Sequence, residues 1–238
     1  MPYSPPPRPV RQVIEGRYCR LEPLTAAHAP ALFDAFSRDD GRMWTYMPNG
    51  PFESLAAYEA WLTGAIAVDD PLQFAVLVEG VPQGTLSLLR VDPAAGSIEV
   101  GYISFSPAMQ RTRAASEAIY LTIKWSFEAG YRRFEWKCNA LNVASRRAAL
   151  RYGLNYEGVF RQATVVKGRN RDTAWFAAID HEWQKLRAAF ETWLVAENFS
   201  AGGQQIQALS ALTVAIVAPS VAAEAASRPV AGQLGDLV

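Results

Sequence analysis

The sequence has few of the residues that build metal centres and disulfide frameworks. Its 238 residues include two cysteines, Cys19 and Cys138, and two histidines. Two thiols cannot form a disulfide framework. With only two cysteines and two histidines, the sequence contains no Cys/His cluster with the usual metal-binding spacing. The sequence therefore predicts a protein without a bound metal ion.

Long apolar runs are also missing. The longest, residues 206–217, contains three polar residues and is shorter than the ~20 residues that a membrane-spanning helix needs. The Pro-rich start, residues 1–9, lacks the apolar core of a secretion signal or an anchor. We therefore expect a cytoplasmic protein with no membrane segment.

The composition that remains is typical of a globular protein. Hydrophobic residues make up 50% of the chain, aromatic residues 11% and charged residues 19%, which excludes wholesale disorder and a collagenous fibre. The length allows one large domain, or one domain with an appendage. We expect a Pro-rich N-terminal arm over residues 1–16, a domain over 17–198, and a flexible Ala/Gln/Ser-rich extension over 199–238.

The net charge of zero hides a strong asymmetry along the chain. Residues 106–171 carry 13 basic and 4 acidic side chains, a net charge of +9, whereas residues 1–105 have −5 and residues 172–238 have −4. A positive field of this kind favours an anionic ligand or partner.

Hydrophobic periodicity and turn residues predict eleven elements in the order βααβββαβαββ. The strands are expected at 17–24, 74–78, 85–91, 97–105, 134–138, 159–166 and 173–179, and the helices at 26–36, 55–67, 114–129 and 143–152. Helices interleaved with a mostly antiparallel sheet indicate a mixed α/β (α+β) fold, and the central strand-helix-strand stretch allows one parallel pairing.

Residues 104–118 run from the end of a strand into the start of a helix. The first turn of a helix offers free N–H groups to an anion. Small side chains at Ala114, Ala115 and Ser116 would let a pyrophosphate come close, and Arg111 and Arg113 add positive charge. The alternative interpretation is an ordinary loop with solvated arginines.

This segment resembles the acyl-CoA pyrophosphate loop of the GNAT N-acetyltransferase superfamily. That loop reads Gln/Arg-x-x-Gly-x-Gly/Ala, and Gln110, Arg113 and Ala115 stand at its defined positions, with arginine in place of the first glycine. Four further segments are similar to the ribosomal-protein N-alpha-acetyltransferase-like (Rim-type) branch, and the resemblance spans about 17–183. They are residues 44–52, 97–102, 136–145 and 166–175.

The resemblance implies a twisted sheet splayed between its central strands, with acetyl-CoA in the gap, and direct acetyl transfer to a primary amine. The amine is a protein N-terminus or a small molecule. The basic stretch suits the phosphates of CoA, and the acidic N-terminal part suits a cationic acceptor. The residues expected to bind the co-substrate are Gln110, Arg111, Thr112, Arg113, Ala114, Ala115, Ser116 and Asn142.

The resemblance also implies roles in proton transfer. Glu99 matches a position where many relatives keep a carboxylate that takes the amine proton, and Glu157 is the rival base. Ser145 matches a proposed proton donor to the CoA thiolate. Asn142 matches an asparagine that holds the pantetheine arm, although it also suits a helix N-cap. Many relatives have a catalytic tyrosine seven residues later, where this chain has Ala149.

Aromatic residues between the first two helices are expected to line the acceptor cleft, namely Trp44, Tyr46 and Phe52. Two other functions stay open at this point. The basic stretch could belong to a nucleic-acid-binding module. Two observations argue against this: the stretches before and after it are acidic, and the sequence contains no recognised nucleic-acid-binding motif. Alternatively, Arg113 at the glycine position and Ala149 at the tyrosine position could indicate a GNAT protein that binds CoA without catalysis. The sequence leaves the oligomeric state open, a homodimer included.

Overall fold

A computed structural model of the chain describes residues 3–217. The chain divides into two compact units, residues 1–135 and residues 136–238. Within residues 3–217, eight strands make a mixed, mostly antiparallel sheet with a parallel pair and flanking helices, as the sequence predicted.

The first unit contains an antiparallel array in the order β1-β2-β3-β4-β5. Its strands are β1 (Ile14–Glu15), β2 (Arg20–Pro23), β3 (Leu72–Val78), β4 (Val81–Asp92) and β5 (Ser97–Phe105). The β4–β5 register shifts twice, between Thr85 and Ser87 and between Leu89 and Asp92. These two bulges bend the strands that carry part of the site.

Three helices belong to the first unit, α1 (Ala29–Ser37), α2 (Leu55–Ile66) and α3 (Arg113–Glu128), with short 3-10 turns at Ala26–His28 and Arg42–Trp44. A cluster of aromatic side chains joins α1, α2 and the loop between them into one core. Its members are Phe33, Phe36, Trp44, Phe52, Tyr58 and Trp61. Helix α3 buries ten consecutive residues, from Ala114 to Ile123.

The N-terminal segment, residues 3–11, packs along the first unit. The hydroxyl of Tyr3 donates to the carbonyl oxygen of Pro93 at 2.7 Å, and the hydroxyl of Tyr131 donates to that of Pro7 at 2.9 Å. Arg11 donates to the carboxylate of Asp69 and to two carbonyl oxygens after α2. The expected arm is thus bound to the body of its unit along most of its length.

Strand β6 (Arg133–Asn139) leads from the first unit into the second. The second unit continues with α4 (Val143–Arg151), β7 (Asn155–Val166), β8 (Arg169–Ile179), α5 (Asp180–Leu194), a 3-10 turn at Ala196–Asn198 and α6 (Leu209–Thr213). Its strands follow the order β6-β8-β7, and β7 and β8 form a long antiparallel hairpin.

The expected flexible extension over 199–238 is wrong for its first part. Residues 199–217 contain α6, in which Leu209 and Thr213 are fully buried, and the hydroxyl of Thr213 donates to the carbonyl oxygen of Arg151. Asn198 anchors this segment by donating to the carbonyl oxygen of Gln207 and accepting that residue's N–H. Residues 218–238 lie outside the described part of the chain.

Within the described residues, no helix is both long and apolar enough to cross a membrane. The same residues contain no group of three or more His, Cys, Asp or Glu side chains that could hold a metal ion.

Candidate active site

The turn between β5 and α3 is tied to the β3–β4 hairpin. Ser106 donates its backbone N–H to the carbonyl oxygen of Gln83 and its hydroxyl to the side-chain oxygen of the same residue. The exposed Gln110 folds back and donates its side-chain amide to the carbonyl oxygen of Phe105 at 2.9 Å. The turn is therefore fixed at both ends before the helix begins.

Thr112 starts helix α3 as its N-cap. Its hydroxyl accepts the N–H of Ala115 at 3.2 Å, and its carbonyl oxygen accepts the N–H of Ser116. Just before it, Arg111 is exposed and has a φ of 62°, the left-handed conformation that favours glycine. The side chains of Ala114, Ala115 and Ser116 are all buried. The helix therefore starts with small side chains, and its first N–H groups, those of Arg113 and Ala114, lie where an anion can be bound.

Arg113, the residue at the glycine position of the motif, points away from the turn. Its guanidinium carbon lies 4.6 Å from the ring centroid of Tyr18. Tyr18 also has Arg17 on its ring, at 5.3 Å. The backbone carrying Tyr18 is held by Glu117, one turn along α3, whose buried carboxylate accepts the N–H groups of Arg17, Tyr18 and Cys19 at 2.6–2.9 Å.

A cleft of about 500 Å³ opens beside this helix start. Three stretches of the first unit line it, residues 15–20, residues 77–80 and residues 112–114. Arg17 and Arg113 contribute positive charge, and Arg20 is paired with Glu15 and Glu22. The cleft can therefore take part of an extended anionic ligand bound at the helix start.

Glu99 lies on β5 with its side chain 4% exposed. Arg90, on β4, donates from one guanidinium nitrogen to both carboxylate oxygens at 2.8 Å. Burial lowers the pKa of Arg90, but the carboxylate of Glu99 more than offsets this, so the pKa is raised. The predicted base is thus a buried carboxylate whose charge is balanced by a half-exposed guanidinium.

The bulge in β5 is a feature that the sequence did not reveal. Gly101 pairs with Ser87 and Ser104 with Thr85, so that two residues of β5 lie opposite Leu86 alone. One of the two, Tyr102, has a φ of 50°. A bulge of this kind leaves a backbone N–H outside the ladder, where it can donate to a ligand. Gly101 directly precedes the bulge, but the residue in the left-handed conformation is Tyr102, which local patterns do not predict there.

In the second unit, Asn142 and Ser145 stand at the start of α4. The side-chain oxygen of Asn142 accepts the N–H of Ser145 at 3.1 Å, which makes Asn142 the N-cap. The hydroxyl of Ser145 accepts the indole N–H of Trp136 at 2.9 Å. Burial raises the pKa of the Cys138 thiol, against an opposing hydrogen bond from Ser145. Ser145 therefore faces β6.

The second unit also contains Glu157, the alternative base, and Ala149, which stands where many relatives have a catalytic tyrosine. Glu157 is exposed on β7 and lies close enough to Glu182 to raise that residue's pKa, which burial raises more strongly. Ala149 is completely buried in α4. Tyr152 is buried too and stacks on Phe190, so it is a packing residue.

The three aromatic residues expected at the acceptor cleft have different surroundings. Trp44 is 4% exposed and packs edge-to-face on Phe36 and Phe52, so it belongs to the core of the first unit. Gly50 approaches it so closely that an added Cβ would lie 2.5 Å from the indole ring. Tyr46 and Phe52 are partly exposed, and their contact with an acceptor stays a prediction.

Comparisons with known proteins agree with this architecture. Residues 19–155 match the family model of the acetyltransferase (GNAT) domain. A GCN5-related N-acetyltransferase from Brucella melitensis is 46% identical, with a TM-score of 0.87, over 89% of this chain and 98% of that one. A probable GNAT-family acetyltransferase from Chromobacterium violaceum ATCC 12472 is 41% identical, with a TM-score of 0.73, over 76% and 93%. No curated protein sequence matches.

A more distant structure is RimL, a ribosomal L7/L12 alpha-N-protein acetyltransferase, which is 20% identical with a TM-score of 0.62 over 71% of this chain and 94% of that one. At this identity the likeness concerns the fold alone. The family match and the two closer structures together show that the chain belongs to the GNAT family of N-acetyltransferases, enzymes that transfer an acetyl group from acetyl-CoA.

Proposed function

We propose that the protein acetylates a primary amine by direct attack of the amine on the thioester of acetyl-CoA. The observation that carries this proposal is the start of helix α3, where Thr112 caps a first turn with buried small side chains beside a cleft of about 500 Å³. Free N–H groups at such a turn bind phosphate oxygens, and the cleft gives room for the rest of a nucleotide.

The residues of the first unit supply two of the groups that acetyl transfer needs. Glu99 is a buried carboxylate able to take the proton of a cationic amine, directly or through water. The bulge at Tyr102 supplies a backbone donor for the oxygen that becomes negative as the amine attacks. We assign the base to Glu99 rather than Glu157, because an exposed carboxylate on a strand gives little control over the proton.

In the second unit, we assign Asn142 to the pantetheine arm and Ser145 to the departing thiolate. The hydroxyl of Ser145 accepts a hydrogen bond from Trp136 and is also hydrogen-bonded to the Cys138 thiol, so it must turn from that thiol to protonate the departing thiolate. This arrangement is consistent with a proton donor. A free thiol has a pKa of about 8.5, so this donor helps without being essential near neutral pH.

The charge distribution supports a nucleotide ligand more than a nucleic acid. Several basic side chains of the stretch 106–171 are buried or partly buried and engage other side chains of the protein. Arg133 pairs with Glu135, Arg146 is 5% exposed, Arg151 packs on Trp193, and Lys137 lies over Trp175. A long polyanion would meet a smaller positive field than the sequence suggested.

Isothermal titration with acetyl-CoA tests the proposal. We expect binding by the parent protein and a clear loss of affinity in Arg111→Glu, because the exposed arginine lies at the helix start. Arg42→Glu is the matched control, since Arg42 is an exposed arginine of the same unit outside this turn, with its side chain 88% exposed. Absence of binding in the parent would refute the proposal.

A panel of amines then tests the reaction. Release of the CoA thiol is followed with short peptides that have free N-termini and with small alkyl and aromatic amines, and the acetylated product is verified by mass. Turnover with a member of either class supports acetyl transfer and identifies the acceptor class. Tight acetyl-CoA binding with no turnover across the panel would favour a CoA-binding protein without catalysis.

A further inference from the structure

The contact between Arg90 and Glu99 depends on an unusual backbone conformation. Arg90 lies in the second β4–β5 bulge, between Leu89 and Asp92, and has a φ of 47°. A residue with a Cβ rarely adopts this left-handed conformation unless its surroundings enforce it. The conformation carries the guanidinium to the buried carboxylate of Glu99, where one nitrogen contacts both oxygens at 2.8 Å.

Asp70 supplies the enforcing contacts. One oxygen of its carboxylate accepts the N–H of Arg90 at 2.8 Å, and the other accepts the N–H of Val91 at 3.1 Å. Both oxygens therefore bind consecutive backbone donors of the bulge. Hydrogen bonds from N–H groups to a charged carboxylate are among the stronger ones in proteins.

The connection that carries Asp70 is held by the N-terminal segment, residues 3–11. Arg11 donates to the carboxylate of Asp69 at 3.0 Å and to the carbonyl oxygens of Ile66 and Val68 at 2.8 and 2.9 Å. The guanidinium of Arg8 lies 3.9 Å from the carboxylate of Asp70. A continuous series of contacts thus leads from the N-terminal segment through Asp70 and Arg90 to Glu99.

We propose that Asp70 is a positioning residue for acetyl transfer, which fixes the bulge that holds Arg90 on Glu99. The inference rests on the proposed role of Glu99 as the base. Asp70 acts through Arg90 and not on the reactants. Without Asp70, the bulge relaxes and Arg90 leaves the carboxylate, so that Glu99 is no longer held in one position.

The test is a double-mutant cycle that combines Asp70→Ala with Arg90→Met. The rate is measured with acetyl-CoA and the fastest acceptor of the amine panel, as kcat and KM. We expect Asp70→Ala to lower kcat about tenfold, as misplaced reacting groups do, with the Kd for acetyl-CoA unchanged. Asp70→Ala should add little to Arg90→Met, because both substitutions remove the same hold on Glu99.

Two further variants control for folding. Asp34→Ala removes a carboxylate of α1 that is 67% exposed and pairs with Arg38 rather than with the bulge, and it should behave like the parent. Asp70→Asn keeps one acceptor oxygen and should give a rate between those of the parent and of Asp70→Ala. If Asp70→Ala folds poorly, Asp70→Asn replaces it in the test. The other charged or titratable groups near Arg90 are Tyr102 and Glu135, which all these variants retain.

The outcomes separate the inference from the proposed function. If Glu99→Gln is inactive while Asp70→Ala keeps the parent's kcat, the positioning role is wrong and the proposed base stands. If Glu99→Gln keeps the parent's rate, the base assignment fails and the inference fails with it. Additive effects of Asp70→Ala and Arg90→Met would also overturn the inference, because Asp70 would then act independently of Arg90.

Discussion

Replacing Glu117 by alanine should destabilise the protein more than any surface substitution. The carboxylate is 4% exposed and accepts three backbone N–H groups, from Arg17 at 2.9 Å, Tyr18 at 2.6 Å and Cys19 at 2.8 Å. Glu117→Ala would leave all three donors without their acceptor. It would also free the turn that places Tyr18 under Arg113.

The magnitude follows from these bonds. A hydrogen bond to a charged group contributes about 1.5–3 kcal/mol, but three donors share two oxygens, and the half-exposed turn can partly rehydrate. We therefore expect a loss of about 3–5 kcal/mol, similar to that from breaking a buried charge interaction. For a chain of this size, each kcal/mol lowers Tm by roughly 2–4 °C, so Tm should fall by about 10 °C.

Thermal and urea unfolding measure this loss directly. Glu117→Gln keeps one oxygen acceptor and should lose about half as much free energy of unfolding, because the remaining bonds are neutral. Glu59→Ala, at an exposed position of α2, is the matched control and should change stability by no more than about 0.5 kcal/mol. A fall in Tm for Glu117→Ala no larger than that of Glu59→Ala would refute the reasoning.

Three further predictions concern individual hydrogen bonds and thiols. Ser145→Ala should cost about 1–3 kcal/mol in urea unfolding, because it leaves the indole N–H of Trp136 without its acceptor. Burial raises the pKa of Tyr131 to about 12, so this phenol ionises in the unfolded chain at a lower pH than in the folded protein. The free energy of unfolding should therefore fall between about pH 10 and pH 12. Tyr131→Phe should remove this fall, and it should remove one late step from the absorbance titration at 295 nm. Burial raises the pKa of both the Cys19 and Cys138 thiols, so a disulfide reagent at pH 8 should label neither until the protein is unfolded, and rapid labelling of the native protein would contradict this.

Local patterns predicted the elements that carry the site but missed two helices, α5 and α6. The strand–turn–helix from Ser97 to Glu128 follows from hydrophobic periodicity, a proline-containing turn and a glycine after the helix. Helix α5 was not predicted, although Trp183, Leu186 and Phe190 recur at helical spacing and are buried. The tail was misjudged because Gly202-Gly203 marks a turn, after which Leu209 returns to a buried position.

Long-range partners could not be predicted from such patterns. Glu117 lies about a hundred residues from the turn that it holds, and Asp70 lies twenty residues from the bulge at Arg90. Both carboxylates look like ordinary charged residues in the sequence. A carboxylate's backbone partners depend on which loops the fold brings beside it, and hydrophobic periodicity carries no information on that.

The arginine in the phosphate-loop motif illustrates the difference between a motif and the geometry it stands for. A glycine is needed where φ is positive or where a side chain would block the ligand. In this chain the left-handed position is Arg111, whereas Arg113 begins the right-handed helix and stacks its side chain on Tyr18. The substitution therefore leaves the helix start open, and its presence is a weak reason to infer a protein without catalysis. Glu117 is what makes the arrangement possible, because it fixes the backbone of Tyr18, and Tyr18 in turn gives Arg113 a place outside the turn.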